Sequence, residues 1–293
     1  MKKTQKDRFN DWLFRYRYIY RSRLSDRSKK RFLNALVTDI SQIRKDIRVI
    51  EYDLKHKAAS RNVYIGDIAQ ADRIICTYYD TPPQHFGVYH FFDRKAQGRQ
   101  TMNFILVSSF ITIGIGAVAT WFYSQFAADG FVLFSWQTFF LVLAFGSYFL
   151  LLGKVVKGAV FQKNLTRNTS SVLALLALIS ENERQNTAFA FLDEGSYGER
   201  GLEVMRDSAK RKATIYYLDS VGAKAPLHVV GTEFDRKQLA RLGILQEEGI
   251  HATINYVISG NKESTEGYYL PKQLLKQKDI NMENVNKTIA LLQ

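Results

Sequence analysis

Side chains able to do acid–base, nucleophilic or metal chemistry are sparse in this chain and scattered along it. Asp193 and Glu194 stand side by side after an apolar run, TAFAFLDE. An adjacent carboxylate pair is raw material for general acid–base work, and adjacent acids also simply end strands. Asp80 closes RIICTYYD and Asp219 closes TIYYLD, so each acid follows a stretch rich in Ile and Tyr. His85 and His90 lie five apart in QHFGVYH, which suits a metal site or a solvated loop. GSYGERG has the glycines of a phosphate loop but not its Lys-Ser/Thr. Cys76 is the single cysteine, which excludes an internal disulfide and fits a reducing compartment.

These acids need a scaffold, and the surrounding pattern supplies one. Short Val/Ile/Tyr-rich runs at 62–68, 73–79, 187–192, 214–218, 227–231 and 252–259 read as strands. Helical spacing predicts helices over 26–48, 170–183, 198–208, 234–242 (with Thr232 as a possible cap) and 282–292. The alternation points to an α/β domain on a largely parallel sheet flanked by helices. Ligand sites in such sheets lie at the carboxyl ends of the strands. The candidate site is therefore Asp80, Asp193–Ser196, Asp219 and Tyr269.

A two-helix transmembrane hairpin is expected to interrupt that domain. Phe104–Tyr123 and Val132–Gly153 carry no charged side chain, and each approaches the ~20 residues needed to cross a bilayer. Trp121, Tyr123 and Trp136 sit at interfacial positions. Arg94, Lys95 and Arg99 precede the first run, while Lys154, Lys157 and Lys163 follow the second. The positive-inside rule then places the chain in the cell membrane as a multi-pass protein with both termini cytoplasmic. A buried hairpin in a soluble core is the alternative. The expected boundaries are 1–25 for a basic amphipathic N-terminal segment, 26–101 and 155–293 for the two parts of the α/β domain, and 102–154 for the hairpin.

The formal charge is +13, and residues 1–50 hold 15 Lys/Arg against 5 Asp. Beside a membrane, that excess points to anionic lipid as a partner. No helix-turn-helix, zinc-finger or RNA-binding signature supports nucleic acid. In residues 6–24, Phe9, Trp12, Leu13, Tyr16 and Tyr20 at helical spacing either lie in the lipid interface or pack on the domain. The start is basic but lacks the apolar stretch of a cleavable signal.

The strand ends also carry a resemblance. ADRIICTYYDTPP, TRNTSSVLALLAL, TAFAFLDEGSYGERGLEVM, IYYLDSVG and EGYYLPKQLLKQKDINMENVNKTIALL follow the order of the motifs of the dinuclear-zinc aminopeptidases, the twenty-eighth metallopeptidase family. The resemblance covers about 31–293, with the hairpin inserted between the first and second motifs. It implies that the family's five ligand positions fall on Tyr78, Arg167, Ser196, Asp219 and Tyr269. Its general base falls on Gly195, or on Glu194 if the alignment shifts by one. Asp80 corresponds to the acid that orients the first-motif histidine. His85, His90 and His251 lie away from the motif positions.

Of the five ligands only Asp219 survives. Phenols that ionise near ~10 are poor zinc ligands at neutral pH, and an arginine brings a fixed cation to the bridging position. The expectation is thus a degenerate, catalytically inactive member with no cofactor. The Arg167 guanidinium would stand for the metals between Asp80 and Asp219, with Tyr78 and Tyr269 closing the cavity. Its work would be binding or scaffolding for a membrane protein or a peptide. Two alternatives remain: an active membrane-bound metallo-aminopeptidase with a rearranged zinc site, and a membrane-complex subunit acting through its hairpin, where Gly114 and Gly116 offer small packing surfaces.

Overall fold

The computed structural model describes residues 3–55, 58–126, 135–156, 158, 164–182, 184–196, 198–247, 254–263 and 267–293. The chain forms two compact units, one from 1–82, 88–92 and 162–293, the other from 83–87 and 93–161.

The first unit opens with α1 (Lys3–Phe14), a π-helical turn (Arg15–Ile19) and α2 (Asp26–Ser41), then β1 (Ile47–Lys55), β2 (Ala58–Ile65), β3 (Arg73–Tyr78) and the short β4 (Tyr89–His90). The second unit carries α3 (Arg94–Phe126) and α4 (Trp136–Val156). A second π-helical turn (Leu165–Thr169) then leads into α5 (Ser170–Glu181), β5 (Thr187–Leu192), α6 (Arg200–Ser208), β6 (Thr214–Asp219) and β7 (Leu227–Val230). The chain closes with α7 (Arg236–Leu242), β8 (Leu245–Glu247), β9 (Ile254–Ser259), β10 (Asn261–Glu263), β11 (Gly267–Leu270), α8 (Lys272–Leu275) and α9 (Met282–Leu292).

Eight strands form one sheet in the order β1-β2-β5-β3-β6-β9-β7-β8. Its centre is parallel: β3 pairs with β5 and β6, and β6 with β9. β1–β2, β2–β5 and β7–β9 are antiparallel. The central strands RIICTY, TAFAFL and TIYYLD are buried on both faces, which is why they read as continuous apolar runs rather than alternating ones. One face packs on α5, whose residues 170–179 are all buried, together with α2 and α9. On the other face, Leu202 and Met205 of α6 cover Ile74, Cys76, Ala188 and Ala190.

Several boundaries differ from the sequence expectation. The 26–48 helix stops at Ser41, and residues from Ile47 become strand β1, because IRVI pairs with the β-branched β2 in the register Ile47↔Ile65. Asp235, not Thr232, caps α7, its carboxylate accepting from the Lys237 amide at 2.9 Å. Of the two readings of the N-terminal stripe the structure takes packing on the domain: Phe9, Trp12 and Tyr16 are buried with Phe32, Leu36 and α5. The aromatic stripe satisfies the domain's own core.

In the second unit, α3 and α4 are each long and apolar enough to cross a membrane by length and composition. The helix α3 starts at Arg94, so Arg94, Lys95 and Arg99 ride on its first turns rather than on a loop. The Tyr148 hydroxyl donates to the Thr112 carbonyl at 3.1 Å, and its ring fills the space beside Gly116. Phe104 meets Phe86 edge-on, whereas Trp121, Tyr123 and Trp136 are exposed. Most of the connector between the helices, with Lys157, Lys163 and His251, lies outside the described residues.

Candidate functional site

The carboxyl ends of β3, β5 and β6 lie side by side in the parallel sheet, so chain geometry alone brings Tyr78, Asp193 and Asp219 together. Around them stand two polar clusters and a strap.

Asp219 organises the first cluster. It is 4 % exposed and accepts from three hydroxyls: Tyr89 at 2.5 Å, Ser220 at 2.8 Å and Tyr78 at 3.4 Å. Arg167 enters from the π-helical turn before α5. Its guanidinium carbon sits 3.8 Å from the centre of the Tyr89 ring, and its Nε donates to the Tyr78 hydroxyl at 3.2 Å. Arg167 is 1 % exposed, so the cation rests against the Tyr89 face and the Tyr78 hydroxyl away from solvent. Asn168 fixes the turn, its amide donating to the carbonyls of Tyr78 and Asp80 at 2.8 and 3.3 Å. Ser220 adopts φ +56°, the left-handed region, which turns the chain sharply at the end of β6.

Asp80 and Asp193 form the second cluster. Asp80, fully buried, accepts from the Gly195 amide at 2.9 Å and from the Ser196 amide and hydroxyl. Asp193 accepts from Lys29 at 2.5 Å and from the amides of Arg61 and Glu194 at 3.2 and 2.9 Å. Burial, and then the neighbouring Asp193, pushes the Asp80 carboxyl up to about 6. Glu194, at φ +58°, turns its carboxylate to the Ser60 hydroxyl at 2.5 Å.

The strap is Arg21–Arg23. The Arg23 amide donates to the Thr81 hydroxyl at 2.8 Å, and the Thr81 amide donates back to the Arg23 carbonyl at 3.1 Å. The Asn164 amide donates to the Arg21 carbonyl at 2.9 Å and to the Thr81 hydroxyl at 3.1 Å. The Arg23 side chain is fully buried, 4.5 Å from the Phe32 ring centre, and donates to the Thr169 hydroxyl. Its Nε and Nη1 have no hydrogen-bond partner among the described residues. Burial lowers its pKa to about 10, which still leaves it charged at neutral pH.

The arrangement differs from the sequence expectation in three ways. Tyr269 does not close the cavity: GYYL forms β11, pairing Tyr269 with His90 of β4, and its hydroxyl donates to Glu263 at 2.5 Å. The β-propensity of the Tyr pair suits it to this small three-stranded sheet, β10-β11-β4. Tyr89 takes the position at Asp219, a role that nothing around GVYH signalled. Asp80 is met by Ser196 and loop amides, while Arg167 serves the Asp219 cluster through Tyr78. The buried cations Arg23 and Lys29 were also missed, because charged residues in a basic segment look like surface.

The donor set does not fit a dinuclear zinc centre. Asp219 is surrounded by two phenols, a serine hydroxyl and a guanidinium, and burial pushes the Tyr78 phenol well above its ordinary value. No group of three or more His, Cys, Asp or Glu among the described residues could hold a metal ion. A side chain at Gly195, where the resemblance puts the general base, would force its surroundings to shift: a Cβ there would lie 2.2 Å from Cβ of Tyr78. His90 sits on β4, and a His85 ring nitrogen lies 3.2 Å from the Phe86 carbonyl.

No family model matches the sequence, and no curated protein does. Solved structures do. Glutaminyl cyclase from Tannerella forsythia superposes with a TM-score of 0.56 at 12% identity, covering 98% of this chain and 95% of that one. A Zn-dependent exopeptidase from Parabacteroides distasonis gives 0.51 at 11% identity, covering 96% of each chain. A leucine aminopeptidase precursor from Bacteroides thetaiotaomicron gives 0.51 at 11%, covering 96% and 94%. At these identities the likeness is one of fold: the chain has the α/β architecture of zinc aminopeptidases and glutaminyl cyclases.

Proposed function

We infer that the chain is a membrane-tethered, catalytically inactive relative of the zinc aminopeptidases that works as a binding or scaffolding subunit at the cytoplasmic membrane face. The observation that carries this reading is Arg167. A permanent cation, stacked on Tyr89 and hydrogen-bonded to Tyr78 beside Asp219, supports it, since the resemblance puts a metal-bridging position at this residue. Hydrolysis in such a site needs a metal-bound water of lowered pKa and a base to take its proton. The close approach of Tyr78 to Gly195 and the engagement of Glu194 by Ser60 argue against either residue serving as that base. The two apolar helices and the basic residues at their ends support the tether.

The test is purification in mild detergent, zinc measurement by mass spectrometry, and assays for both aminopeptidase and glutaminyl cyclase activity. The expected result is substoichiometric zinc, no turnover, and a membrane protein or peptide captured by cross-linking in the cell. One zinc or more per chain, with turnover abolished by Asp219→Asn, would overturn the reading.

A further inference from the structure

We propose that the outward face of the N-terminal helix is a docking surface for an anionic lipid bilayer, while the aromatic stripe opposite it packs on the domain. Helix α1 and its π-helical turn are apolar on two sides. Phe9, Trp12 and Tyr16 are buried in the domain. Phe14, Tyr18 and Ile19 remain 57, 56 and 51 % exposed. The Phe14 and Tyr18 rings are 5.3 Å apart, and the Arg17 guanidinium lies 4.9 Å from the Tyr18 ring centre. Lys6, Asn10 and Phe14 follow at four-residue spacing on the same exposed stripe, with Arg8 and Arg21 also exposed nearby in sequence.

Charge complementarity selects the occupant. Asp11 pairs at 2.7 Å with Arg15, whose guanidinium also meets the buried Asp39 at 2.9 Å, and Lys6, Arg8, Arg17 and Arg21 outnumber the exposed Asp7 and Asp11 on this stretch. Aromatic rings among arginines and lysines match the boundary between headgroup and acyl chain, where rings seat at the interface and cations meet phosphate. An anionic bilayer is at hand if α3 and α4 span the membrane, so the proposal rests on the tether in the preceding section. Exposed Asp7 limits the contact to a shallow one. Such binding is screened by salt, since the Debye length is about 8 Å at physiological ionic strength.

The test uses the full chain in nanodiscs of zwitterionic lipid, with or without phosphatidylserine. One sample carries an environment-sensitive fluorophore on Asn10→Cys, another on Phe140→Cys within α4. Native Cys76 is fully buried with its thiol pKa raised, so it does not compete for label. The position-10 probe is expected to shift blue and be quenched by brominated lipid only in the anionic discs. High salt, or Phe14→Ser with Ile19→Ser, should reverse both effects. Position 140 should be quenched in both lipids. An unquenched position 140 refutes the tether, and the docking then stands or falls on position 10 alone. A quenched position 140 with a solvent-like position 10 in anionic discs overturns the docking. Equal quenching of position 10 in neutral discs overturns the charge argument and, with it, the proposal.

Discussion

Replacing Arg167 by Met tests whether its cation holds the Asp219 cluster together. Methionine keeps much of the side-chain length and removes the charge, the stack on Tyr89 and the hydrogen bond to Tyr78. Breaking a buried charge set by removing one partner costs ~3–5 kcal/mol, because the other charge is stranded. Here Asp219 would still accept from Tyr89, Ser220 and Tyr78, so the lower end, ~3 kcal/mol, is expected. Asp219→Asn alone strands the cation instead and should cost about as much. The double variant removes both charges, and a coupling of ~1–2 kcal/mol should appear as a cost well below the sum. Chemical denaturation in mild detergent, followed by near-ultraviolet circular dichroism, measures all four corners of the cycle. In thermal terms the single variants should melt ~6–12 °C below wild type, at ~2–4 °C per kcal/mol for a folded unit of this size. A single-variant loss under ~1 kcal/mol, or a double variant additive within ~0.5 kcal/mol, would refute the reasoning.

Gly195→Ala should destabilise the domain by ~1–3 kcal/mol, since its Cβ meets Tyr78 at 2.2 Å, and Gly195→Glu should not confer hydrolysis; an unchanged denaturation midpoint for the Ala variant would show that the loop yields freely. Asp80 holds its proton more tightly folded, at about 6, than unfolded, near ~3.9. Its contribution therefore falls as pH rises through that window, by roughly 3 kcal/mol in all, and Asp80→Asn should flatten that part of the stability profile relative to wild type. Parallel profiles for the two proteins between pH 4 and 7 would contradict the assignment. Millimolar zinc, manganese or cobalt should leave the melting temperature within about a degree, because a tight site adds RT ln(1 + [L]/Kd) and would shift it visibly.

The sheet was legible in the sequence because its central strands are apolar on both faces and bounded by Pro, Gly and charged turns. Thr187–Leu192 and Met282–Leu292 are read with the same limits in both descriptions. Strand β1 was not, since IRVI follows a helical period that runs without a stop signal from Phe32 to Ile47. In the site, Asp80, Asp193 and Asp219 were found by the strand-end rule, which depends only on topology. Tyr89, Lys29 and Arg23 were invisible for another reason: they reach the strand ends from segments far away in sequence, and no local spacing encodes such an arrival. The N-terminal helix was ambiguous between lipid and core, and it is apolar on both sides. Phe9, Trp12 and Tyr16 fill the core, while Phe14, Tyr18 and Ile19 face outward.

The order of strands in the sheet sets a constraint on how the protein is made. Strands β2 and β3 are separated in sequence by only a few residues, yet they do not pair: β5 lies between them, and it is synthesised after both apolar helices. While the ribosome is still translating α3 and α4, the first 82 residues have a β1–β2 ribbon and a β3 strand with both edges open. Neither side of β3 can be closed until β5 and β6 emerge. Synthesis of the two apolar helices thus precedes assembly of the sheet, and every nascent chain would present apolar strand edges in the interval. Such edges invite aberrant pairing, and a long non-local closure is slow. Residues 58–78 would need shelter, as from a holding chaperone, while roughly 140 further amino acids are added to reach the end of β6, about 7–28 seconds at ~5–20 residues per second.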